Sequence, residues 1–373
     1  MKKIITALIL AGAMSLTGCG LIPGSVSPSP SETVPSPSES ARPVPSAQPS
    51  APTGAEEVTA ADYFPFKADV HRTYQGTGNE FAFFESWVDY IDNDAIQIRS
   101  NNGGTELVEV YTVTGGALKK ALSLGEAYFR YDFTAEREID EIMIMEPIAV
   151  GTEWTLESGE KRSITDVNAD VTVPYGAFKA LEVTTEYEDS TTKDYYVIGL
   201  GLIKKEFTTK ETESMMITSD LEKYEEGSPL LENARFYYPD FNNDRLAYIN
   251  QGLEFHTGDS ILPQLEFALK TPPSGTELGR VMTDGATIRS ITFDRTSGVV
   301  TIDLNKQFVT EMNAGTTMEG MILSSIANTL GSYFQTDKVQ LTLEGGPYES
   351  GHMLFNLGDF LPFNPEDAVE YQG

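Results

Sequence analysis

The sequence predicts an all-β middle domain, an antiparallel meander open to curling into a half-barrel, followed by an α+β C-terminal domain. Three observations lead there. From about Ala60 to Tyr224, aromatic and β-branched residues alternate in short runs separated by turn residues such as Asn101-Asn102-Gly103-Gly104 and Gly115-Gly116. Beyond Glu225-Glu226-Gly227-Ser228-Pro229, which reads as an interdomain linker, apolar residues also recur at helical spacing. Ahead of both, Ser25 to about Thr53 is nearly all Pro, Ser, Ala, Val and Glu, a composition that cannot build a core. With 40% hydrophobic and 10% aromatic residues, the remainder can form sizeable cores. The expected organisation is a β-rich module at 59–226, an α+β domain at 230–352 and a tail at 353–373.

Lys2 and Lys3 precede the apolar run Ile4 to Ala13, and Leu16-Thr17-Gly18-Cys19 closes it with small residues before the chain's one cysteine. This pattern predicts a lipoprotein signal peptide over 1–18, cleaved between Gly18 and Cys19, with lipidation at Cys19. The apolar run is too short to span a bilayer. Acyl chains on Cys19, worth about 0.8 kcal/mol per buried methylene, would anchor the protein on the extracytoplasmic side of the cell membrane. No thiol then remains for disulfides or a thiolate metal site. Residues 19–58 form the expected tether, whose prolines favour extended polyproline II with a reach of about 80 Å at roughly 3 Å per residue.

Strands are expected at Phe81 to Tyr90, Glu106 to Val113, Ala127 to Phe133, Lys179 to Glu188 and Asp194 to Ile198. In the C-terminal domain, Arg235 to Tyr238 and Ala247 to His256 read as strands. A helix from about Ser260 to Lys270 follows, with Asp259 or Ser260 as cap and Pro263 in its first turn. Ile288, Ile291 and Phe293 pass through Asp294-Arg295-Thr296-Ser297-Gly298 into Val300, Ile302 and Leu304, a hairpin. Thr316 and Glu319 have capping-box spacing ahead of Met318, Ile322, Ile326 and Leu330, and Gly331 is the expected helix end. Val339, Leu341 and Leu343 supply a further strand.

This order of elements resembles the GerMN family of sporulation and spore-germination domains. The likeness is carried by Phe236-Tyr237-Tyr238-Pro239-Asp240, Gln264 to Leu269, Gly298 to Phe308, Ile322 to Thr329 and Val339 to Leu343, over roughly Ala234 to Gly351. The resemblance implies a ring-building-motif fold, with a three-stranded sheet on two helices, and a part in envelope assemblies rather than catalysis. GerM-type proteins usually carry two such domains, whereas here the first module is different. A looser likeness, from Pro147 to Lys204, is to a meander of bacterial surface lipoproteins.

The chain carries 26 basic against 56 acidic residues, net −30; loss of Lys2 and Lys3 leaves 24 cationic side chains and −32. Such a field repels phosphates, so nucleic acid is not an expected partner. His71, His256 and His352 are too far apart for a local metal pair, and no nucleophile elbow or P-loop occurs; Gly199-x-Gly201 lacks a third glycine. Asp240-x-Asn242-x-Asp244 has the first spacings of a calcium loop, but Arg245 and Gln251 stand where Gly and Glu belong. The motif therefore reads as a polar turn, and Asp89, Asp92 and Asp94 read likewise.

Phe81, Phe83 and Trp87 are expected on one sheet face and Phe84 on the other, as core packing, a sugar platform or a lipid-holding surface. No catalytic residue, metal ligand or cofactor is predicted. The expected function is an anchored interaction or assembly module with a protein partner or with itself. Ligand binding by the β-module is the alternative, and a cell-wall hydrolase a third reading.

Overall fold

The computed structural model describes residues 58–211 and 214–372. Gly18, Cys19, the signal peptide and all but the end of the tether lie outside them.

The all-β expectation for the middle of the chain holds. Its strands are β1 (Val70–Thr77), β2 (Phe84–Asp92), β3 (Ala95–Asn101), β4 (Glu106–Thr114), β5 (Ala117–Gly125) and β6 (Glu141–Met145). They continue with β7 (Glu153–Thr155), β8 (Lys161–Val173), β9 (Gly176–Glu186), β10 (Ser190–Val197), β11 (Gly201–Thr209) and β12 (Met216–Glu226). They form one 12-stranded antiparallel sheet in which sequence neighbours pair, except that β12 pairs with β1, which leaves β6 and β7 at the two edges.

Those edges meet through side chains rather than through a backbone ladder. Trp154 on β7 donates its indole N–H to the Ile142 carbonyl on β6 at 3.0 Å. Arg162 on β8 donates to the same carbonyl at 2.7 Å and to Glu141 at 2.9 Å. The result is a nearly closed barrel whose exposed edge strands are blunted by a buried tryptophan and arginine. Apolar side chains from both ends of the sheet, Leu118, Ile144, Ile164, Leu181 and Tyr196 among them, share one interior cluster with Ala60 and Tyr63. The segment entering the fold at Val58 is held there by the Ala60 N–H on Glu146 (2.8 Å) and the Gly199 N–H on the Asp62 carbonyl (3.0 Å).

The C-terminal part is α+β. A long hairpin, β13 (Leu230–Asp240) with β14 (Arg245–Phe255), precedes α1 (Leu262–Lys270) and the hairpin β15 (Ile288–Asp294) and β16 (Val299–Leu304). Then come α2 (Gln307–Thr310), α3 (Thr316–Phe334), and β17 (Val339–Leu343), which lies parallel to β16. β18 (Gly346–Glu349) and β19 (Leu354–Phe355) extend that sheet to five strands, and β20 (Val369–Glu370) adds to β14. Residues 353–373, expected as a tail, thus contribute two short strands, and Leu361 is buried with its N–H on the Val339 carbonyl.

Several local expectations are corrected. Ala127 to Phe133 forms no strand, because its backbone groups bond to buried side chains instead of a ladder. Arg99 donates to the carbonyls of Ala127 and Phe129, and Gln97 donates to Tyr131 and accepts from the Phe133 N–H. Glu225 and Glu226 finish β12, and Gly227, at φ +70°, turns the chain directly toward β13.

The first helix starts at Leu262, with neither Asp259 nor Ser260 capping it. Asp259 instead accepts from the His256 N–H at 2.8 Å. Gly315, not Thr316, is the cap of α3, and Glu319 does not reach back. It is 2% exposed and accepts from the hydroxyls of Tyr348 (2.7 Å) and Ser350 (2.5 Å). Gly331 lies inside α3, which runs on to Phe334 and ends at Gln335 in a left-handed conformation.

Candidate functional site

Inside the barrel is a cavity of about 330 Å³, lined by side chains of β1 to β4, β11 and the entering segment. Alternation builds its wall. Arg72 and Tyr74 on β1, Phe84 and Ser86 on β2, Ile98 and Ser100 on β3, and Leu107, Glu109 and Tyr111 on β4 fall at every second position of their strands and so share one face. Tyr74 stacks on Phe84 with ring centroids 4.2 Å apart, and its hydroxyl donates to the Leu202 carbonyl at 2.9 Å. Burial pushes the Tyr74 phenol up to about 12. Glu109, the carboxylate on the wall, accepts from the Tyr111 hydroxyl at 2.8 Å and pairs with Lys120 at 3.2 Å.

Phe81 and Phe84 both border this cavity, which corrects their expected placement on opposite faces. A 3₁₀ turn at Glu80–Ala82, capped by Asn79, breaks the alternation before β2 begins. Phe81 and Phe83 are partly exposed, and Trp87, on the opposite side of β2, stacks on His71. Arg72 is the wall residue that sequence reading missed. A single arginine in an alternating strand carries no signal of its own.

The opposite face of β2 to β4 packs on the C-terminal part. Asp89, fully buried, receives Arg99 at 3.1 Å and Arg130 at 2.8 Å. Arg130 also donates to the carbonyls of Asp89 (2.7 Å), His256 (2.8 Å) and Asp259 (2.7 Å), and its guanidinium lies over the rings of Tyr90 and Phe255. Tyr333 accepts from the Arg130 N–H at 3.0 Å and donates to Glu232 at 3.3 Å. Burial disfavours the charge on Arg99, but Asp89, Glu232 and Glu106 outweigh it and hold the guanidinium above its usual range. Burial pushes the Glu232 carboxyl up to about 7 despite the attraction of Arg99. Two cations thus face three carboxylates, and burial drives Glu232 toward its neutral form.

The other residues singled out from sequence are scattered. His71 sits between Glu85 (3.3 Å) and Glu225 (3.2 Å), His256 lies 3.3 Å from Asp69, and His352 is exposed. Asp92 accepts from the Asn93 N–H, and Asp94 lies 3.7 Å from Arg137. Asp240 accepts from Asn243 and Arg245 in the β13–β14 turn. Gly201, at φ +88°, borders the cavity at the start of β11. No helix among the described residues is long and apolar enough to cross a membrane.

Residues 235–349 match the family model described as Germane: sporulation and spore germination. The C-terminal part carries a Germane domain. Its matched limits fall within the Ala234 to Gly351 segment that resembles GerMN. No curated protein matches the chain. Among solved structures, a putative exported protein with YmcC-like fold from Bacteroides fragilis NCTC 9343 aligns at 12% identity and a TM-score of 0.28, covering 44% of this chain and 99% of that one.

The Germane domain and the barrel share one hydrophobic cluster, in which Val108, Val110, Phe129 and Phe133 from the barrel side meet Phe236, Phe255 and Phe334. Phe129 packs edge-on against Phe293 at 5.0 Å.

Proposed function

We propose that the protein is a lipoprotein anchored through Cys19 on the extracytoplasmic side of the cell membrane, and that it serves as an interaction or assembly unit of the envelope in sporulation or germination. The match of residues 235–349 to the Germane family carries this reading. The anchor rests on the Leu16-Thr17-Gly18-Cys19 pattern behind a short apolar run. In this reading the protein is not an enzyme, and its surfaces act by binding a protein partner or a second copy.

Cross-linking the full-length chain in native membranes tests both parts. A specific partner, or a second copy, cross-linked through residues 235–349 is the expected result, with Cys19→Ala leaving an unlipidated precursor on a gel. A membrane-bound, mature Cys19→Ala protein would sink the anchor. Cross-links confined to the barrel, or none, would sink the assembly role.

The barrel cavity favours a second reading, in which the β-module binds a ligand.

A further inference from the structure

Arg72 is 7% exposed, and its side chain borders the barrel cavity. A guanidinium offers five N–H donors. Among the described residues, Arg72 makes one hydrogen bond, from Nη2 to the Leu200 carbonyl at 3.3 Å, and lies over the Tyr224 ring at 5.2 Å. No described carboxylate pairs with it. Each other strongly buried arginine has a carboxylate partner: Arg99 and Arg130 share Asp89, and Arg162 holds Glu141.

A buried cation without a counter-charge is costly, and a carbonyl dipole with an aromatic face offsets only part of that cost. The wall carboxylate cannot supply the missing charge, since Glu109 is already engaged by Lys120 and Tyr111. The rest of the wall is largely apolar, with Tyr74, Phe84, Ile98, Leu107 and Leu202 in reach of an aliphatic chain; Ser86, Ser100 and Thr105 add hydroxyls, Asn102 an amide, and Lys205, half exposed and 3.9 Å from Asp194, stands at the solvent side. At about 330 Å³ the cavity falls at the lower end of small-ligand sites, which run from ~300 to ~1,000 Å³.

We propose that this cavity binds a small anionic amphiphile, with a singly charged head such as a carboxylate on Arg72 and an aliphatic tail along Tyr74, Phe84 and Leu107. The inference rests on the ligand-binding reading of the β-module and adds the chemical class. A head group that accepts two guanidinium hydrogen bonds supplies the missing charge, and a tail displaces water from an apolar wall. The chain's net charge of −30 repels anions at long range, so selection for one requires a local, buried cation of this kind.

The test uses the full chain carrying Cys19→Ala, purified without detergent, in calorimetric titrations with dodecanoate, 1-dodecanol and acetate at neutral pH. Dodecanoate should bind at one site, 1-dodecanol about tenfold or more weakly, and acetate not measurably. Arg72→Gln should erase the preference for dodecanoate while leaving 1-dodecanol unchanged. If Arg72→Gln fails to fold, Arg72→Lys takes its place and should lower dodecanoate affinity alone. Leu107→Trp, which fills the cavity, should abolish binding of both long-chain probes.

Equal binding of dodecanoate and 1-dodecanol, or a preference untouched at Arg72, overturns the anionic class while ligand binding stands. Full binding by the Leu107→Trp variant places the site elsewhere and overturns the proposal. Binding of no probe by the folded parent overturns both the proposal and the ligand-binding reading beneath it.

Discussion

Arg130 and Asp89 are joined twice: one guanidinium nitrogen donates to the Asp89 carboxylate at 2.8 Å, and the other donates to the Asp89 main-chain carbonyl at 2.7 Å. The second nitrogen also reaches the His256 carbonyl, and Nε the Asp259 carbonyl, so one side chain ties β2 of the barrel to the turn between β14 and α1. Every part of the guanidinium is engaged inside the protein, the condition under which a buried pair resists disruption.

Removing one partner strands the other in a low-dielectric interior. Asp89→Ala, which leaves both Arg99 and Arg130 without their shared counter-charge, should destabilise by about 3–5 kcal/mol. Urea denaturation followed by circular dichroism measures this. A loss under about 1 kcal/mol would mean that water or a neighbouring carboxylate replaces Asp89.

Glu232 gives the junction a pH dependence. Its carboxyl is pushed up to about 7, so the folded state binds that proton more tightly than the unfolded state. Stability from this group is therefore greatest below the ordinary glutamate range and declines as pH rises through about 7, by on the order of 3 kcal/mol. Glu232→Gln should stabilise the protein at pH 8.5 and change little at pH 5. An equal effect at the two pH values would contradict the assignment.

A methyl group at Gly331 would lie about 2.5 Å from the Phe363 ring and 2.6 Å from the Thr336 carbonyl. Gly331→Ala should cost about 1–3 kcal/mol by overpacking. In a Phe363→Ala background the same substitution should cost less, because the flexible partner has gone. A thermal-melt double-mutant cycle with no coupling would show that the helix end moves instead.

The barrel seam makes a local prediction. Arg162→Met removes one of the two donors to the Ile142 carbonyl and leaves Glu141 with Lys120 alone. Hydrogen exchange should then speed up at the amides of β6, with smaller changes in β2 and β3. Acceleration spread evenly over the sheet would argue that the seam is not a separate opening unit.

The alternating strands of the barrel and the hairpin–helix–strand order of the Germane domain were legible because they are local patterns with period 2 or 3.6. What escaped reading depends on long-range partners. Ala127 to Phe133 has a strand's composition, but Arg99 and Gln97, about thirty residues away, occupy its backbone groups. Thr316 and Glu319 have the spacing of a capping box, yet Tyr348 and Ser350 claim the glutamate. Arg72 lies in a segment, Val70–Thr77, that carries no strand expectation of its own. Its character appears only once β11 and the entering segment close around it.

The shared core has a consequence for how this chain can be taken apart. Phe129 and Phe133, on the barrel side, complete the packing of Phe293 and Phe334 in the Germane domain, so a cut after Tyr224 leaves two unfinished halves rather than two modules. A Germane domain transplanted from another protein would fit this barrel only if it brought a socket for that loop and carbonyls for Arg130. Beads on a string can be reshuffled one at a time, whereas these two halves must be inherited together.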